Sequence, residues 1–437
     1  WCLVSHDGGL SRQKSVGGHN IRHLRSSTLT LYSPFVFLPE EPAMLEQLSV
    51  LPPDPILGLA ATCRADTNPN KIDLTVGVYM DESGVCPVFN AVKQAQIQLV
   101  SDEQTKAYLP AAGDAAYLSG MTSLVFGDEL AGNGSHITAV QTPGGCGALR
   151  IASEVLAAAS PSATVWISDP TWPVHIPLMG SVGLKFATYS YYNPLSHGVD
   201  FDRMASDLKA AVAGDIVLLH GCCHNPSGAD LTLDQWSVIA DMALEQGFTV
   251  LVDLAYQGMG SGLTEDVQGL RLLASRLGEL IVAASCSKNL GLYRERTGVA
   301  LFFGKDMQTA AATQSHGLGA ARRVYSMPPA HGALLAGRVL TDPELRASWE
   351  TELAQICGRM IALRTQLSTK LSEKTNQDFS FIASEKGMFS FLGLSVEQAQ
   401  GLRKDPGIYM LDSSRINVAA LNDRNMDIVV EAVASVL

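Results

Sequence analysis

One lysine stands in a setting that favours chemistry at its amine. Lys288 follows an apolar run at residues 280–284 that is typical of a buried strand, so the strand would carry the lysine into the interior. Desolvation penalises an ammonium group, which lowers its pKa and leaves a neutral amine free to form an imine. Ser285, Ser287 and Arg296 add hydroxyls and a positive charge, enough to bind a phosphate group. A surface lysine after a core strand is the alternative.

A glycine-rich turn offers further phosphate contacts. Residues 142–150 (TPGGCGALR) lead into a run of good helix formers that we expect to continue through Ala159. Backbone amides at such a helix start, together with the positive end of the helix dipole, bind anions. An ordinary tight turn is the alternative.

A third group of residues suits an aromatic, nitrogen-containing ring. Asp253 lies near the end of an apolar strand, where a buried carboxylate needs a cationic or hydrogen-bonding partner such as a protonated pyridine nitrogen. Tyr256 and Asn225 are candidate donors to a ring oxygen, Trp172 is a candidate stacking platform, and His175 is a candidate donor to Asp253. With the lysine and the phosphate contacts, these groups predict a pyridoxal phosphate site. A loop-capping aspartate, a core tryptophan and a core histidine are the alternatives.

The elements that must position these residues alternate along the chain from Asp54 onward. Short β-branched runs are separated by helical stretches such as 233–245 and 267–280; the runs cover residues 164–167, 216–219, 249–252, 281–283 and 299–303. This order is typical of an α/β protein with a mostly parallel central sheet flanked by helices. Ligands bind at the carboxyl ends of such strands. Polar residues follow four of them, at Asp169, 220–225, 253–256 and 285–288.

Composition narrows the function further. With 437 residues and 46% hydrophobic content, the chain can bury a large core in two or three domains. A net charge of -12 argues against a nucleic-acid or anionic-membrane binder, and no apolar run is long enough to cross a bilayer. The eight cysteines show no CxxC spacing, which is typical of reduced thiols. The cluster at 222–224 (CCH) lacks further regularly spaced ligands, so we predict no metal.

The first 43 residues differ from the rest. Between Gly8 and Pro39 there is no acidic residue, while arginines, serines and threonines recur, a composition that fits an organellar transit peptide. A disordered upstream segment, with the true start at Met44, fits equally well. The compartment therefore stays open between cytoplasm and mitochondrial matrix.

The order of these motifs resembles the aspartate aminotransferases, which are class I, fold-type I pyridoxal-phosphate enzymes. The resemblance runs from about Pro53 to the C-terminus. The motifs that carry it are 52–58 (PPDPILG), 76–79 (VGVY), 141–145 (QTPGG), 220–228 (HGCCHNPSG), 253–258 (DLAYQG), 287–289 (SKN), 325–329 (YSMPP) and 387–391 (GMFSF). It implies transamination between L-aspartate or L-glutamate and 2-oxoglutarate or oxaloacetate by a ping-pong mechanism.

The resemblance also implies roles for single residues. Lys288 would be the Schiff-base lysine and proton shuttle. Asp253 would pair with the pyridine nitrogen, with His175 and His220 behind it. The remaining cofactor contacts within the subunit would come from Gly144, Gly145, Cys146, Trp172, Asn225, Tyr256, Ser285, Ser287 and Arg296. Tyr108 of a second subunit would also contact the cofactor and would have a catalytic role.

Substrate binding is implied for a smaller set. Arg415 would clamp the α-carboxylate as a bidentate fork, and Gly77 would let the backbone approach the substrate, beside Trp172 and Asn225. Arg322 would cross the interface of a homodimer to bind the distal carboxylate of a dicarboxylic substrate.

Three departures from the family pattern affect these expectations. Cys146 stands where threonine is usual, and a thiol is the poorer donor to a phosphate. Met327 stands where asparagine is usual, and the doubled Arg322 and Arg323 also occur in aromatic aminotransferases of the family. A broad-specificity or aromatic aminotransferase is therefore the alternative function. A decarboxylase or lyase with the same cofactor, or a non-catalytic relative, are further alternatives.

The resemblance implies a two-domain fold preceded by extra segments. We expect a leader or disordered extension at 1–43 and an N-terminal arm at 44–53. A large cofactor-binding domain would cover 86–355, and a smaller α/β domain would combine 54–85 with 356–437.

Overall fold

The computed structural model describes residues 44–132 and 136–437. It divides the chain into two units, Trp1–Pro52 and Pro53–Leu437. In the first unit, the described residues contain a 3₁₀ helix at Met44–Gln47. The predicted leader at 1–43 lies outside the described residues, and the arm at 44–53 stays a prediction. Among the described residues, no helix is both long and apolar enough to cross a membrane.

The helices of the second unit begin at recognisable caps. Asp54, for example, accepts hydrogen bonds from the amides of Ile56 and Leu57, and Pro55 occupies the first helical position. The helices are α1 (Pro55–Ala65), α2 (Asn90–Asp102), α3 (Ala115–Phe126), α4 (Asp128–Ala131), α5 (Gly144–Ala159), α6 (His175–Gly180), α7 (Phe201–Leu208), α8 (Leu233–Gln246), α9 (Gln268–Arg276), α10 (Met307–Val324), α11 (His331–Thr341), α12 (Pro343–Thr375), α13 (Ser380–Ser384), α14 (Val396–Lys404) and α15 (Met426–Val436).

The strands form one large sheet and three two-stranded ones. They are β1 (Ile72–Asp73), β2 (Ile137–Pro143), β3 (Thr164–Asp169), β4 (Lys185–Ser190), β5 (Tyr192–Asn193), β6 (Gly198–Val199), β7 (Ile216–His220), β8 (Thr249–Leu254), β9 (Leu280–Ser285), β10 (Thr297–Phe303), β11 (Phe389–Phe391), β12 (Ile408–Tyr409) and β13 (Arg415–Asn417). Short 3₁₀ helices lie at Glu265–Val267 and Val418–Ala420.

The central sheet has the order β2-β10-β9-β8-β7-β3-β4. The neighbours β9, β8, β7, β3 and β4 pair in parallel, whereas β10 is antiparallel to both β2 and β9. The predicted mostly parallel sheet with flanking helices is therefore confirmed. One predicted helix is too long: residues 267–280 were expected to be helical, but α9 ends at Arg276 because Leu277 is extended and β9 begins at Leu280.

Alternate residues of the central strands enter two different hydrophobic cores. Val250 and Val252 of β8 pack in one core, while Leu251 packs in the other, and β7 and β9 follow the same alternation. A strand that buries both of its faces needs helices on both sides of the sheet. The carboxyl ends of β3, β7, β8 and β9 thereby lie along one edge, held rigidly by packing on both faces.

A third core is built from segments far apart in sequence. It joins Ile72 and Leu74 to Leu367 of α12 and Val433 of α15. The antiparallel pair β11–β13 lies in this part of the chain, with Phe391 opposite Arg415. This core supports the predicted smaller domain of residues 54–85 and 356–437, whose boundaries stay a prediction.

Candidate active site

A cavity of about 420 Å³ lies at the carboxyl edge of the central sheet. It brings together most of the residues that the sequence singled out. Those that line it are Gly77, Gly145, Cys146, Trp172, His220, Asn225, Asp253, Tyr256, Ser285, Ser287, Lys288, Arg296 and Arg415. The structure thus places these residues at one site, while their individual roles stay predictions.

Lys288 reaches the cavity just after β9, a strand buried along its whole length. Burial lowers the pKa of the Lys288 ammonium below its usual value, although the charge of Asp253 opposes that shift. Its Nζ lies over the ring of Tyr256, 4.6 Å from the ring centroid. Burial also raises the pKa of the Tyr256 hydroxyl, so the phenol stays protonated and able to donate. The site therefore offers an amine that loses its proton readily, beside a neutral phenol.

A hydrogen-bonded row of side chains that runs from the cavity wall into the interior holds Asp253. Asp253 Oδ2 lies 3.0 Å from His175 Nε2, and Thr171 Oγ1 lies 2.8 Å from His175 Nδ1 and 3.4 Å from His220 Nε2. The amide of Asn225 donates to His220 Nδ1 at 3.2 Å, so the proton of a neutral His220 lies on Nε2. One proton order satisfies the whole row: His220 donates to Thr171, Thr171 to His175, and His175 to Asp253.

The protonation of this row follows from burial and charge. Burial lowers the pKa of His220 to about 3. Burial alone would raise the pKa of Asp253, but the hydrogen bond from His175 brings that pKa below its usual value. The cavity therefore presents an ionised carboxylate that is held in place from behind, which suits a cationic partner.

An anion cup forms where α5 begins. Gly144 starts α5 with a φ of +72°, and a Cβ there would lie 2.5 Å from Nη2 of Arg296, so glycine lets the guanidinium reach the helix start. Ser285 and Ser287 are buried and line the same cavity, and a Cβ on Gly145 would lie 3.6 Å from the Ser285 hydroxyl. Burial raises the pKa of the Cys146 thiol even though Arg296 opposes this, so the group is a protonated, weak donor.

Trp172 and Asn225 complete the ring-shaped part of the site. The Trp172 ring is partly buried and meets His175 edge-on at a centroid distance of 5.3 Å, which fixes its orientation. Asn225 is buried, and its Oδ1 accepts a hydrogen bond from Arg415 Nη1 at 3.3 Å. Its amide nitrogen is thus left to donate to a ligand.

Arg415 provides the buried positive charge of the site. Its side chain is only 2% exposed, and Nη2 donates to the carbonyl of Thr75 at 2.7 Å. The guanidinium lies over the ring of Phe389, 4.2 Å from the centroid. Burial lowers the pKa of Arg415 to about 10, and Nε has no hydrogen-bond partner among the described residues. A buried cation with an unused donor calls for an anionic ligand.

Four of the predicted residues do not line the cavity in the single chain. Gly144 lies just behind Arg296, and His175 is fully buried behind Asp253. Tyr108 is 89% exposed, and Arg322 is exposed at the end of α10, where it bonds to the Ser326 hydroxyl. The prediction for Tyr108 and Arg322 placed both in a neighbouring subunit's site, and it stays a prediction.

Several lining residues were not singled out from the sequence. Ile56 and Leu57 at the start of α1, Val76, Tyr293 and Phe389 form an apolar wall and one more phenol. All but Tyr293 fall in motifs that carried the family resemblance, and Tyr293 lies five residues after the lysine.

The structure gives a reason for glycine at position 77 that the sequence did not reveal. A Cβ at Gly77 would lie 2.6 Å from Cζ of Phe389, too close for any side chain. The glycine therefore makes room for the ring under Arg415, in addition to its predicted approach to the substrate.

One buried cluster has the composition of a metal site. Sγ of Cys222 and Cys223 and a carboxylate oxygen of Asp266 lie within 4.8 Å of one another. Burial raises the pKa of Cys223 to about 12, and the pKa of Cys222 is raised by its hydrogen bond with Cys223 and by burial. Backbone amides of Gly258, Gly260 and Ser261 already donate to Asp266. Protonated thiols and an occupied carboxylate do not favour a metal, so we assign none.

The donors of the cavity fit pyridoxal phosphate. The cup formed by the α5 amides, Arg296 and the buried serines matches a phosphate. The ionised carboxylate of Asp253 matches a protonated ring nitrogen, and the amine of Lys288 matches an aldehyde. Arg415 is left free to bind a second anion in the cavity, such as the carboxylate of a substrate.

Comparisons with known proteins agree with this chemistry. The family model described as aminotransferase class I and II matches residues 69–433. The chain is 47% identical over 395 residues to an aromatic-amino-acid aminotransferase of Paracoccus denitrificans, covering 90% of this chain and 100% of the relative. It is 45% identical over 396 residues to an aspartate aminotransferase of Escherichia coli (strain K12), with the same coverage of both chains.

Solved structures give the same result. The crystal structure of an aromatic-amino-acid aminotransferase from Burkholderia pseudomallei, covalently bound to pyridoxal phosphate, superposes with a TM-score of 0.88. The match covers 90% of this chain and 100% of that chain at 38% identity. With the fold, the lysine, the phosphate cup and the family match in agreement, the chain belongs to the class I aminotransferases of fold type I, enzymes that use pyridoxal phosphate.

Proposed function

We propose that the protein transfers amino groups between L-aspartate or L-glutamate and 2-oxoglutarate or oxaloacetate. The observation that carries this proposal is the pairing, in one cavity, of an amine with a lowered pKa and a buried guanidinium with an unused donor. The amine of Lys288 suits a proton transfer at the substrate α-carbon, and the guanidinium of Arg415 suits the α-carboxylate.

Bound pyridoxal phosphate supplies the electron withdrawal that acidifies the α-carbon. The ionised carboxylate of Asp253 would hold a positive charge on the ring nitrogen. Tyr256 and Asn225 would donate to the ring oxygen, and the Trp172 ring would pack on the face of the cofactor. Because the row of side chains behind Asp253 fixes its position, the protein would keep the ring oriented during turnover.

Lys288 acts as the base and the proton carrier of the reaction. Burial lowers its pKa and so favours the neutral amine that accepts the proton, while the negative charge of Asp253 stabilises the resulting ammonium. Arg415 holds the substrate so that its α-hydrogen faces this amine. Since the same groups act on either keto acid, one cavity serves both half-reactions of a ping-pong cycle.

We also propose a homodimer with shared sites. In the single chain Arg415 is the guanidinium suited to the α-carboxylate, and Arg296 belongs to the phosphate cup. The exposed Arg322 is then available to the distal carboxylate in a neighbouring site, and the exposed Tyr108 to that site's phosphate. Arg323 is less suited to this task because its Nη2 pairs with Glu154 at 3.0 Å.

A second candidate function, transamination of aromatic amino acids, has its own support. Ile56, Leu57, Val76 and Phe389 give the cavity a largely apolar wall, and Phe389 lies under Arg415. Such a wall can bury the side chain of phenylalanine or tyrosine, and apolar burial is worth about 25 cal/mol per Å². The relatives at 47% and 45% identity carry an aromatic and an aspartate name respectively, so both substrate classes are proposed together.

The predicted compartment depends on whether residues 1–43 are a cleaved leader. Residues 1–43 lie outside the described part of the chain, and the relatives reported above are bacterial proteins. Those relatives lend no support to the mitochondrial alternative. N-terminal sequencing of the native protein would locate the mature N-terminus.

The test is a substrate panel with the purified enzyme. We would measure kcat/KM for aspartate, glutamate, tyrosine and phenylalanine, with 2-oxoglutarate and oxaloacetate as acceptors. Lys288→Ala is expected to abolish turnover and the pH-sensitive visible absorbance of the bound cofactor, since no other amine is assigned to the base. Amino-group exchange by this variant at a comparable rate would overturn the assignment. Release of carbon dioxide without consumption of an acceptor would identify a decarboxylase.

A further inference from the structure

Behind the Arg415 site lies a buried ion pair that the reaction itself does not use. Arg364 of α12 is 1% exposed and Glu385 is 4% exposed, and Nη1 of Arg364 donates to Oε2 of Glu385 at 3.2 Å. Burying two charges is costly unless further hydrogen bonds offset the lost hydration. The donors of Arg364 find such partners, whereas Oε1 of Glu385 has none among the described residues.

Apart from its bond to Glu385, Arg364 donates hydrogen bonds to the carbonyl groups of one short backbone segment. Nε and Nη2 donate to the carbonyl of Gly387 at 3.1 and 2.9 Å, Nη1 donates to Ile382 at 3.0 Å, and Nη2 donates to Lys386 at 3.1 Å. Nη2 also donates to the carbonyl of Phe389. A single guanidinium therefore ties the whole segment 382–389, which leads into β11, to α12.

Glu385 also holds this strand, through the oxygen that pairs with Arg364. Its Oε2 accepts a hydrogen bond from the hydroxyl of Ser390, the residue next to Phe389. A Cβ on Gly228 would lie 2.5 Å from the carbonyl oxygen of Phe389, so the loop after β7 packs tightly against this point. The position of Phe389 is thus set by Arg364, Ser390 and Gly228 together.

Phe389 in turn supports the guanidinium of Arg415. Its ring lies 4.2 Å from Cζ of Arg415, fills the space that Gly77 leaves, and meets Tyr256 at 6.2 Å. A shift of β11 would move this ring, and the guanidinium that rests on it would lose its alignment with a bound carboxylate.

We propose that Arg364 and Glu385 are positioning residues for the substrate α-carboxylate, acting through Phe389 on Arg415. This inference rests on the proposed role of Arg415 as the carboxylate-binding group. It predicts an effect on KM that is common to dicarboxylic and aromatic substrates, because both classes share the α-carboxylate.

The charge of Glu385 gives the proposal a pH signature. Burial raises the pKa of Glu385 to about 7; Arg364 of α12 and the Ser390 hydroxyl oppose the rise, while Asp230 on the loop between β7 and α8 adds to it. The phenol of Tyr192 on β5 also faces Glu385, and Lys386 acts on Asp230. Above pH 7 the ionised carboxylate pairs with Arg364; below pH 7 the pair loses its negative partner.

The experiment compares KM of wild type and Glu385→Gln from pH 6 to pH 8.5, using the holoenzyme with aspartate and with phenylalanine. Glutamine imitates the protonated side chain, so the ratio of KM values should be near one at pH 6 and rise to about three- to tenfold at pH 8.5. The change in kcat should stay within about twofold. Taking the ratio removes pH effects that both enzymes share.

Two further variants separate positioning from simple destabilisation. Ser390→Ala removes a hydroxyl donor that lowers the pKa of Glu385, so that pKa should rise. The fall in KM that accompanies ionisation of Glu385 should therefore occur at a higher pH in this variant than in wild type. Glu350→Gln breaks an Arg–Glu pair elsewhere on α12 and should leave KM unchanged at every pH. Melting temperature and cofactor absorbance check that each variant is folded and loaded.

The outcomes distinguish this inference from the proposed function. If Arg415→Lys raises KM for all donors but the Glu385→Gln ratio stays at one across the pH range, the positioning role is wrong and the function stands. If Arg415→Lys leaves KM unchanged, the α-carboxylate binds elsewhere and both fall. A Glu385→Gln effect on kcat alone would also contradict the positioning role.

Discussion

Replacing Arg322 with glutamine should change which amino acids the enzyme prefers while leaving its stability and reaction intact. The side chain is exposed near the end of α10, and its described contact is the hydroxyl of Ser326. Little folding energy depends on such a contact, so the free energy of unfolding should change by less than about 0.5 kcal/mol. The effect on aspartate should come from the proposed distal-carboxylate contact in the neighbouring subunit.

The size of that effect follows from the interaction removed. A hydrogen bond to a charged group contributes about 1.5–3 kcal/mol, which corresponds to a fall of roughly 10- to 150-fold in kcat/KM for aspartate. Phenylalanine has no distal carboxylate, so its kcat/KM should change by no more than about twofold. Steady-state kinetics with both donors and 2-oxoglutarate as acceptor would measure the two values.

Arg323 supplies the matched control. It lies next to Arg322, but its Nη2 pairs with Glu154, which also receives Arg150 at 2.8 Å. Arg323→Gln should therefore leave kcat/KM for both donors nearly unchanged. An equal loss for aspartate and phenylalanine in Arg322→Gln, or a selective loss in Arg323→Gln, would refute the assignment of Arg322.

Three other substitutions or conditions test the rest of the site. Asp253→Asn should lower kcat by about 150- to 5,000-fold, since removing one partner of a buried ion pair costs about 3–5 kcal/mol, while cofactor absorbance remains measurable. Cys146→Thr should tighten pyridoxal phosphate binding by about two- to tenfold, because a hydroxyl is the better donor, as a titration of the apoprotein would show. His220, whose pKa falls from 6.5 to about 3 on folding, contributes stability that is complete above pH 6.5 and is lost as pH falls toward 3. Urea unfolding at several pH values should show this loss, and His220→Asn should make it smaller; an unchanged slope would contradict it.

The parts of the fold that follow local patterns could be predicted from sequence. Five β-branched runs became the strands β3, β7, β8, β9 and β10, because a strand buried on both faces needs a continuous apolar run. The direction of β10 could not be predicted, since side-chain pattern carries no information about strand direction. The end of α9 at Arg276 was also missed, because the apolar residues Leu277 and Leu280 continue a helical pattern into β9.

In the site, too, some features could be predicted from local sequence and others could not. Lys288 and Asp253 could be found because Asp253 lies near the end of β8 and Lys288 follows the end of β9, and such strand ends in a parallel sheet meet at one edge. The packing of Gly77 against Phe389, which lies under Arg415, could not, since Gly77 is more than 300 positions before Phe389 in the chain. The family resemblance marked all three positions, but only the structure shows that the glycine is needed to make room for the ring.

The location of the functional groups explains how one chemistry can serve two substrate classes. The groups proposed to act at the α-carbon, Lys288, Asp253 and Arg415, lie in the cavity, and Lys288 and Arg415 owe their lowered pKa values first to burial. Two of the groups proposed to meet the substrate side chain are more exposed: Leu57 is 66% exposed, and Arg322 lies on the surface. Exposed positions tolerate substitution at little cost in stability, whereas changes at buried charges cost several kcal/mol. Substrate preference can therefore change at α1 or at Arg322 without disturbing the reaction, so the effects of Arg322→Gln and Glu385→Gln on kcat/KM should add in free energy for aspartate, while phenylalanine responds to Glu385→Gln alone.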